Sequence, residues 1–183
     1  MTWLDVLPIL LIIIYAALGY FTGILRRGIG LIALYVAFLA ATGMGLQAGN
    51  ILNQAAALET PDARIIGFFG ILLVVLVLID GAAQLAHAQI RIEAVYWNRA
   101  TGVIVGVITA ILLSVLVVYL VEAAGNPSGG GELSGLQAQL HDTANDSKLM
   151  VPLVNSLDKP IIAIFTPVLP NDPNQYFSRG PVT

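Results

Sequence analysis

Residues 6–58 read VLPILLIIIYAALGYFTGILRRGIGLIALYVAFLAATGMGLQAGNILNQAAAL and carry only two charges, the neighbours Arg26 and Arg27. The apolar runs on either side, 6–25 and 28–58, are each at least 20 residues long. About 20 apolar residues in a helix cross the roughly 30 Å hydrocarbon core of a bilayer. The stretch therefore predicts two membrane spans that meet at an arginine pair, with Arg26-Arg27-Gly28 as a short turn.

The rest of the chain repeats the theme. It is 57% hydrophobic and 10% charged, whereas a soluble domain carries about 25% charged residues. One globular core could not hide that much apolar surface. The net charge of −3 is small and says nothing about nucleic acid, but there is no basic stripe of the kind a phosphate backbone requires. Without cysteine there is no disulfide, thiolate metal site or thiol nucleophile. No Lys or Arg precedes the first apolar run, and that run exceeds the roughly 7–15 residues of a signal-peptide core. The first segment is expected to be a retained span.

The predicted fold is all-α, a polytopic membrane protein. Its four transmembrane helices cover about 4–25, 28–49, 65–86 and 100–121. Trp3 sits where an interfacial anchor belongs. Thr60-Pro61-Asp62 is a helix start: a cap, a proline suited to the first position, and an acid at the positive end of the dipole. The first uncharged stretch of the third span, 65–79, is 15 residues long and too short to cross. That helix must carry Asp80 and Gln84 into or near the membrane. A Gly-rich and polar linker is expected at 123–146, and a tail without structure at 170–183. Between them, Leu149, Leu153, Leu157 and Ile161 recur every four residues. Pro152, Pro160 and Pro167 should divide that segment, 147–169, into short pieces. It reads as an interrupted amphipathic segment on the bilayer or on the bundle.

Orientation follows from the arginines. Arg26, Arg27, Arg91 and Arg99 fall in the first and third connections, and Arg64 alone in the second. By the positive-inside rule the four-arginine side faces the cytoplasm and both termini face outward.

Spans associate in lipid through small residues that let backbones approach. Gly102, Gly106, Ala110 and Ser114 form one such seam. Ala37, Ala41, Gly45 and Gly49 form a second, and Gly19 and Gly23 belong to the first span. Close contact is expected among spans one, two and four, with a dimer face or a glycine-lined conduit as alternatives.

Asp80 is the first candidate for function, because an intramembrane charge is expensive and normally has a partner or a role. Asp80, Gln84, His87 and Arg91 make one polar stripe on one helix face, at the level of Arg26, Arg27 and Arg99. Either an arginine pairs with Asp80 and locks the bundle, or Asp80 and His87 relay protons or ions. Asp5, Glu59 and Glu122 are expected to be solvated ends, and His141 a solvated side chain. No metal set, cofactor motif, P-loop, HExxH, G-x-S-x-G elbow or GxGxxG fingerprint is present.

Several short motifs resemble the CvpA family, the colicin V production proteins of bacterial membranes. They are Trp3-Leu4-Asp5, Gly19-Tyr20-Phe21-Thr22-Gly23-Ile24-Leu25-Arg26, Asn98-Arg99-Ala100-Thr101-Gly102 with Gly106, and Asp146-Ser147-Lys148-Leu149 with Pro152-Leu153. The resemblance implies a four-span inner-membrane protein, without established catalytic activity, tied to colicin V production or export and to envelope homeostasis. A non-enzymatic scaffold or accessory factor is expected. Its partners would be the lipid bilayer, a membrane protein through 147–169, and a second copy of the chain. A small transporter using Asp80 and His87, or an auxiliary subunit of a larger complex, are the alternatives.

Overall fold

A computed structural model describes residues 2–87, 95–128, 132–148 and 150–181. Its six helices are α1 (Trp3–Ala56), α2 (Thr60–His87), α3 (Val95–Gly125), α4 (Gly135–Asn145), α5 (Met150–Phe165) and α6 (Pro173–Tyr176). Among the described residues there is no strand. α1, α2 and α3 are long and apolar enough to cross a membrane.

A straight helix of 54 residues would extend about 80 Å. α1 is not straight. Gly23 leaves the helical region with φ 76° and ψ 179°, a backbone conformation that is essentially restricted to glycine. The chain reverses there. The Arg27 guanidinium lies 5.5 Å from the centre of the Tyr15 ring, although twelve residues of straight helix would separate their backbones by about 18 Å. Leu4 and Leu34 likewise share one buried cluster. α1 is thus two arms, 3–22 and 24–56, folded against each other. The turn predicted at Arg26-Arg27-Gly28 lies at Gly23 instead. Arginine is a good helix former, so Arg26 and Arg27 occupy the start of the second arm.

The first arm packs on α3 and the second on α2. The predicted seams divide accordingly: spans one and four meet as expected, but the Gly45 and Gly49 seam of span two faces span three instead. Gly19 and Gly102 meet backbone to backbone. Gly45 and Gly49 instead face α2, where Phe68 and Arg64 backbone atoms lie 3.0 Å from the positions their missing β-carbons would take. Gly67 of α2 returns the contact and was not identified from sequence. Ala37, Ala41 and Ala110 are fully buried between helices.

Half of the most apolar stretch of α3 is buried, against 22% in α1 and α2. In addition to the first arm of α1, helices α4, α5 and α6 of the C-terminal third pack on α3, and there the sequence reading needs three corrections. Within the predicted linker 123–146, α3 runs on to Gly125 and α4 forms. α4 starts at a capping box, with Ser134 and Gln137 exchanging side-chain and backbone hydrogen bonds. α5 continues through Pro160 rather than breaking into pieces. Pro160 lies on the exposed side. The buried face of α5 is Val154 and Phe165, flanked by Val151, Ile161 and Ile162. Leu157, from the predicted stripe, is exposed; Leu149 and the Leu153 side chain lie outside the described residues.

The third correction concerns residues 170–181, which are packed rather than structureless. Tyr176 and Phe177 join Phe38, Phe68 and Phe165 in an aromatic core with ring centres 5.2 to 6.4 Å apart. Asp172 caps α6 through the backbone N–H groups of Asn174 and Gln175. Two aromatic anchors and a capped turn order a segment whose composition alone reads as a loop.

Candidate functional site

Two places in the fold concentrate polar chemistry: the end of the bundle around Gly23, and the opposite end where the C-terminal segment docks.

At the first, the helix that restarts after Gly23 has unpaired N–H groups, as any helix N-terminus does. Its cap comes from another helix. The Ile24 N–H donates to Asn98 Oδ1 of α3 at 2.9 Å, and the Asn98 side chain fills the space a β-carbon on Gly23 would need. One turn along each helix, Gly19 and Gly102 touch, and Gly106 then abuts the Tyr15 carbonyl. Nothing but glycine at these positions lets the first arm and α3 approach this closely.

Arg26 and Arg27 turn inward from this junction. The Arg27 side chain is 2% exposed and that of Arg26 12%. A terminal guanidinium nitrogen of each lies 3.9 Å from an Asp80 carboxylate oxygen. Arg27 Nε also donates to Thr22 Oγ1 at 3.2 Å. Asp80 therefore faces two cations at ion-pair but not hydrogen-bond distance, and its side chain is 36% exposed. Arg99 does not join them; it stacks over Tyr20 at 5.3 Å. Of the predicted stripe only Asp80 can be placed: Arg91 and the side chains of Gln84 and His87 lie outside the described residues. Tyr15 and Thr22, which complete the Arg27 environment, were not singled out from sequence.

Four hydroxyls within the helices are committed locally. Thr22, Thr101, Thr109 and Ser114 each donate to the carbonyl four residues earlier on their own helix.

At the opposite end, Asp5 was expected to be a solvated terminus. It is fully buried and accepts hydrogen bonds from Ser147 Oγ at 2.7 Å and the Thr2 N–H at 3.0 Å. Ser134 donates to Asp62. Thr42 donates to the Val168 carbonyl at 2.6 Å, and Tyr176 to the carbonyls of Ala41 and Thr42. Arg64 gathers the carbonyls of Tyr176, Ser178 and Gly180 on one guanidinium nitrogen. Glu59 is exposed and pairs with Arg179 at 2.7 Å. Glu122 is half-buried in a cleft of about 330 Å³ with Tyr119, Asn126, Asn155 and Asn174. His141 is half-buried, between the Gly125 carbonyl at 3.1 Å and Asn145 at 2.9 Å.

Residues 4–156 match the colicin V production protein family. The chain belongs to this family. Neither the curated proteins nor the solved structures compared with it match. The motifs that carried the family resemblance find one another in space. The Gly19 and Gly23 motif meets Asn98 and Gly102, and Asp5 beside Trp3 meets Ser147. The colicin V production match ends inside α5. The segment carrying Phe165, Tyr176 and Phe177 lies beyond it.

Proposed function

We propose that this colicin V production family member is a four-span protein of the bacterial inner membrane that acts as a non-enzymatic scaffold or accessory factor in colicin V production or export and in envelope homeostasis. The four spans are the two arms of α1 together with α2 and α3. Both termini face outward, and the C-terminal cap is the surface offered to a membrane-protein partner. One observation carries this reading: the polar groups of the bundle are spent on holding helices together. Asp80 faces Arg26 and Arg27, Asn98 caps the second arm, and Thr42 reaches the Val168 carbonyl.

The partner surface is the exposed side of α5, with Leu157, Lys159 and Ile164. Deleting the segment would also remove Phe165 from the core, so point variants are the better test. Leu157→Asp with Ile164→Asp should leave the protein inserted and folded while co-purifying membrane proteins are lost. Retention of the same proteins at the same stoichiometry rejects the partner role.

A second reading is a small transporter, favoured by the partial exposure of Asp80 and its 3.9 Å separation from both arginines. Asp80→Asn then abolishes flux in proteoliposomes without lowering thermal stability. A loss of stability with no flux to lose returns the pair to a locking role.

A further inference from the structure

We propose that the cleft beside Arg99, at the Gly23 end of the bundle, binds the headgroup of an anionic phospholipid. The cleft has a volume of about 370 Å³ and is lined by Tyr20, Tyr96, Arg99 and Ala100. Arg99 lays its guanidinium over the Tyr20 ring, which fixes the plane of the fork. Among the described residues no carboxylate pairs with it, in contrast to Arg26, Arg27 and Arg179. A planar fork of donors is suited to phosphate oxygens.

Depth argues for a lipid. Phe21, Tyr96 and Trp97 around the cleft are more than 70% exposed, and such rings collect at the boundary between hydrocarbon and headgroups. Trp3 marks the opposite boundary. The seventeen residues from Trp3 to Tyr20 rise about 26 Å, close to the thickness of a bilayer core. The cleft thus lies at headgroup level, with a cation inside and aromatic walls that an acyl chain can follow. This site is independent of whether the protein is a scaffold or a transporter.

The chain has two tryptophans, so Trp3→Phe leaves Trp97 as the sole reporter, with its ring 6.2 Å from that of Tyr96. The full chain is placed in nanodiscs of phosphatidylcholine that contain brominated phosphatidylglycerol, or brominated phosphatidylcholine at the same mole fraction. Quenching of Trp97 is expected to show about fivefold enrichment of the anionic lipid, the preference one basic residue confers at an anionic surface. Arg99→Gln should bring the two lipids to parity, while Arg179→Gln at the far end should keep the enrichment. Equal quenching by both lipids with Arg99 in place, or enrichment that survives Arg99→Gln, overturns the proposal. So does loss of the enrichment on adding inorganic phosphate, because the cleft is then a site for the free anion.

Discussion

Replacing Gly23 by alanine tests the reversal of α1 by its sign as well as its size. In an uninterrupted 54-residue helix, Gly23→Ala would be stabilising by up to about 1 kcal/mol, since alanine is the better helix former. At φ 76° and ψ 179° a β-carbon is strained by about 1–3 kcal/mol. It would also stand 2.5 to 2.6 Å from Asn98 side-chain atoms, so Asn98 must move. That movement breaks the bond to the Ile24 N–H, and loss of a cap costs about 0.5–2 kcal/mol. Together the expected loss is about 1.5–5 kcal/mol. Asn98→Ala alone should lose only the cap. In the Asn98→Ala background, Gly23→Ala should cost only the backbone strain, so the pair is less than additive, as a double-mutant cycle would register. Thermal unfolding in detergent micelles is the assay. Gly30→Ala is the reference, because a β-carbon there meets nothing within 4 Å. If Gly23→Ala is as stable as Gly30→Ala, the reversal at Gly23 is wrong.

Four further outcomes are expected. Gly102→Ala should be less stable than Gly70→Ala by about 1–3 kcal/mol, the usual penalty for overpacking. Its β-carbon falls 2.8 Å from Gly23 backbone atoms, whereas Gly70 has open space; equal melting temperatures contradict the close approach of the first arm and α3. Arg64→Gln should release residues 172–181, because three carbonyls lose one donor, and trypsin should then cut after Arg179 several-fold faster; an unchanged cleavage rate would show that the clamp holds nothing. Asp80→Asn should destabilise by about 1–2 kcal/mol, below the 3–5 kcal/mol of a buried ion pair because Asp80 is partly exposed, and Arg26→Gln in the same chain should recover part of the loss. Finally, burial pushes the Tyr176 phenol up to about 12, above the value near 10 of an unfolded tyrosine. Its contribution is present below about pH 10 and is lost as pH rises through about 12; Tyr176→Phe should remove this alkaline sensitivity, and persistence of the sensitivity in Tyr176→Phe would assign it elsewhere.

Periodicity and composition located the apolar helices well, because burial in hydrocarbon leaves a long uncharged signature. The reversal was placed three residues late for a physical reason: charge marks where a chain leaves lipid, but backbone conformation marks where it turns. Arg26 and Arg27 are charged and helical, whereas Gly23 carries the unusual φ. The arginines also turn into the bundle instead of facing water. The small-residue seams were legible as seams, but not their partners, since spacing on one helix says nothing about which neighbour fills it. Asn98 stood in a recognised motif without a role, because a cap supplied from a different helix leaves no local pattern. The tail was least legible. Tyr176 and Phe177 are buried through distant contacts, with Phe68 more than a hundred residues earlier and with Gln137, which local composition does not register.

That distance has a consequence for biosynthesis. Tyr176 bonds to carbonyls 134 and 135 residues earlier in the chain. Helices α1 and α2 are therefore made, and can be inserted, long before the segment that covers Phe68 and the slot over Gly45 leaves the ribosome. During that interval the slot that Tyr176 fills over Gly45 is uncovered, and exposed apolar surface of this kind invites mispairing. Closing of the fold is a late, long-range event, and conditions that delay the arrival of Tyr176 should act on yield before they act on stability.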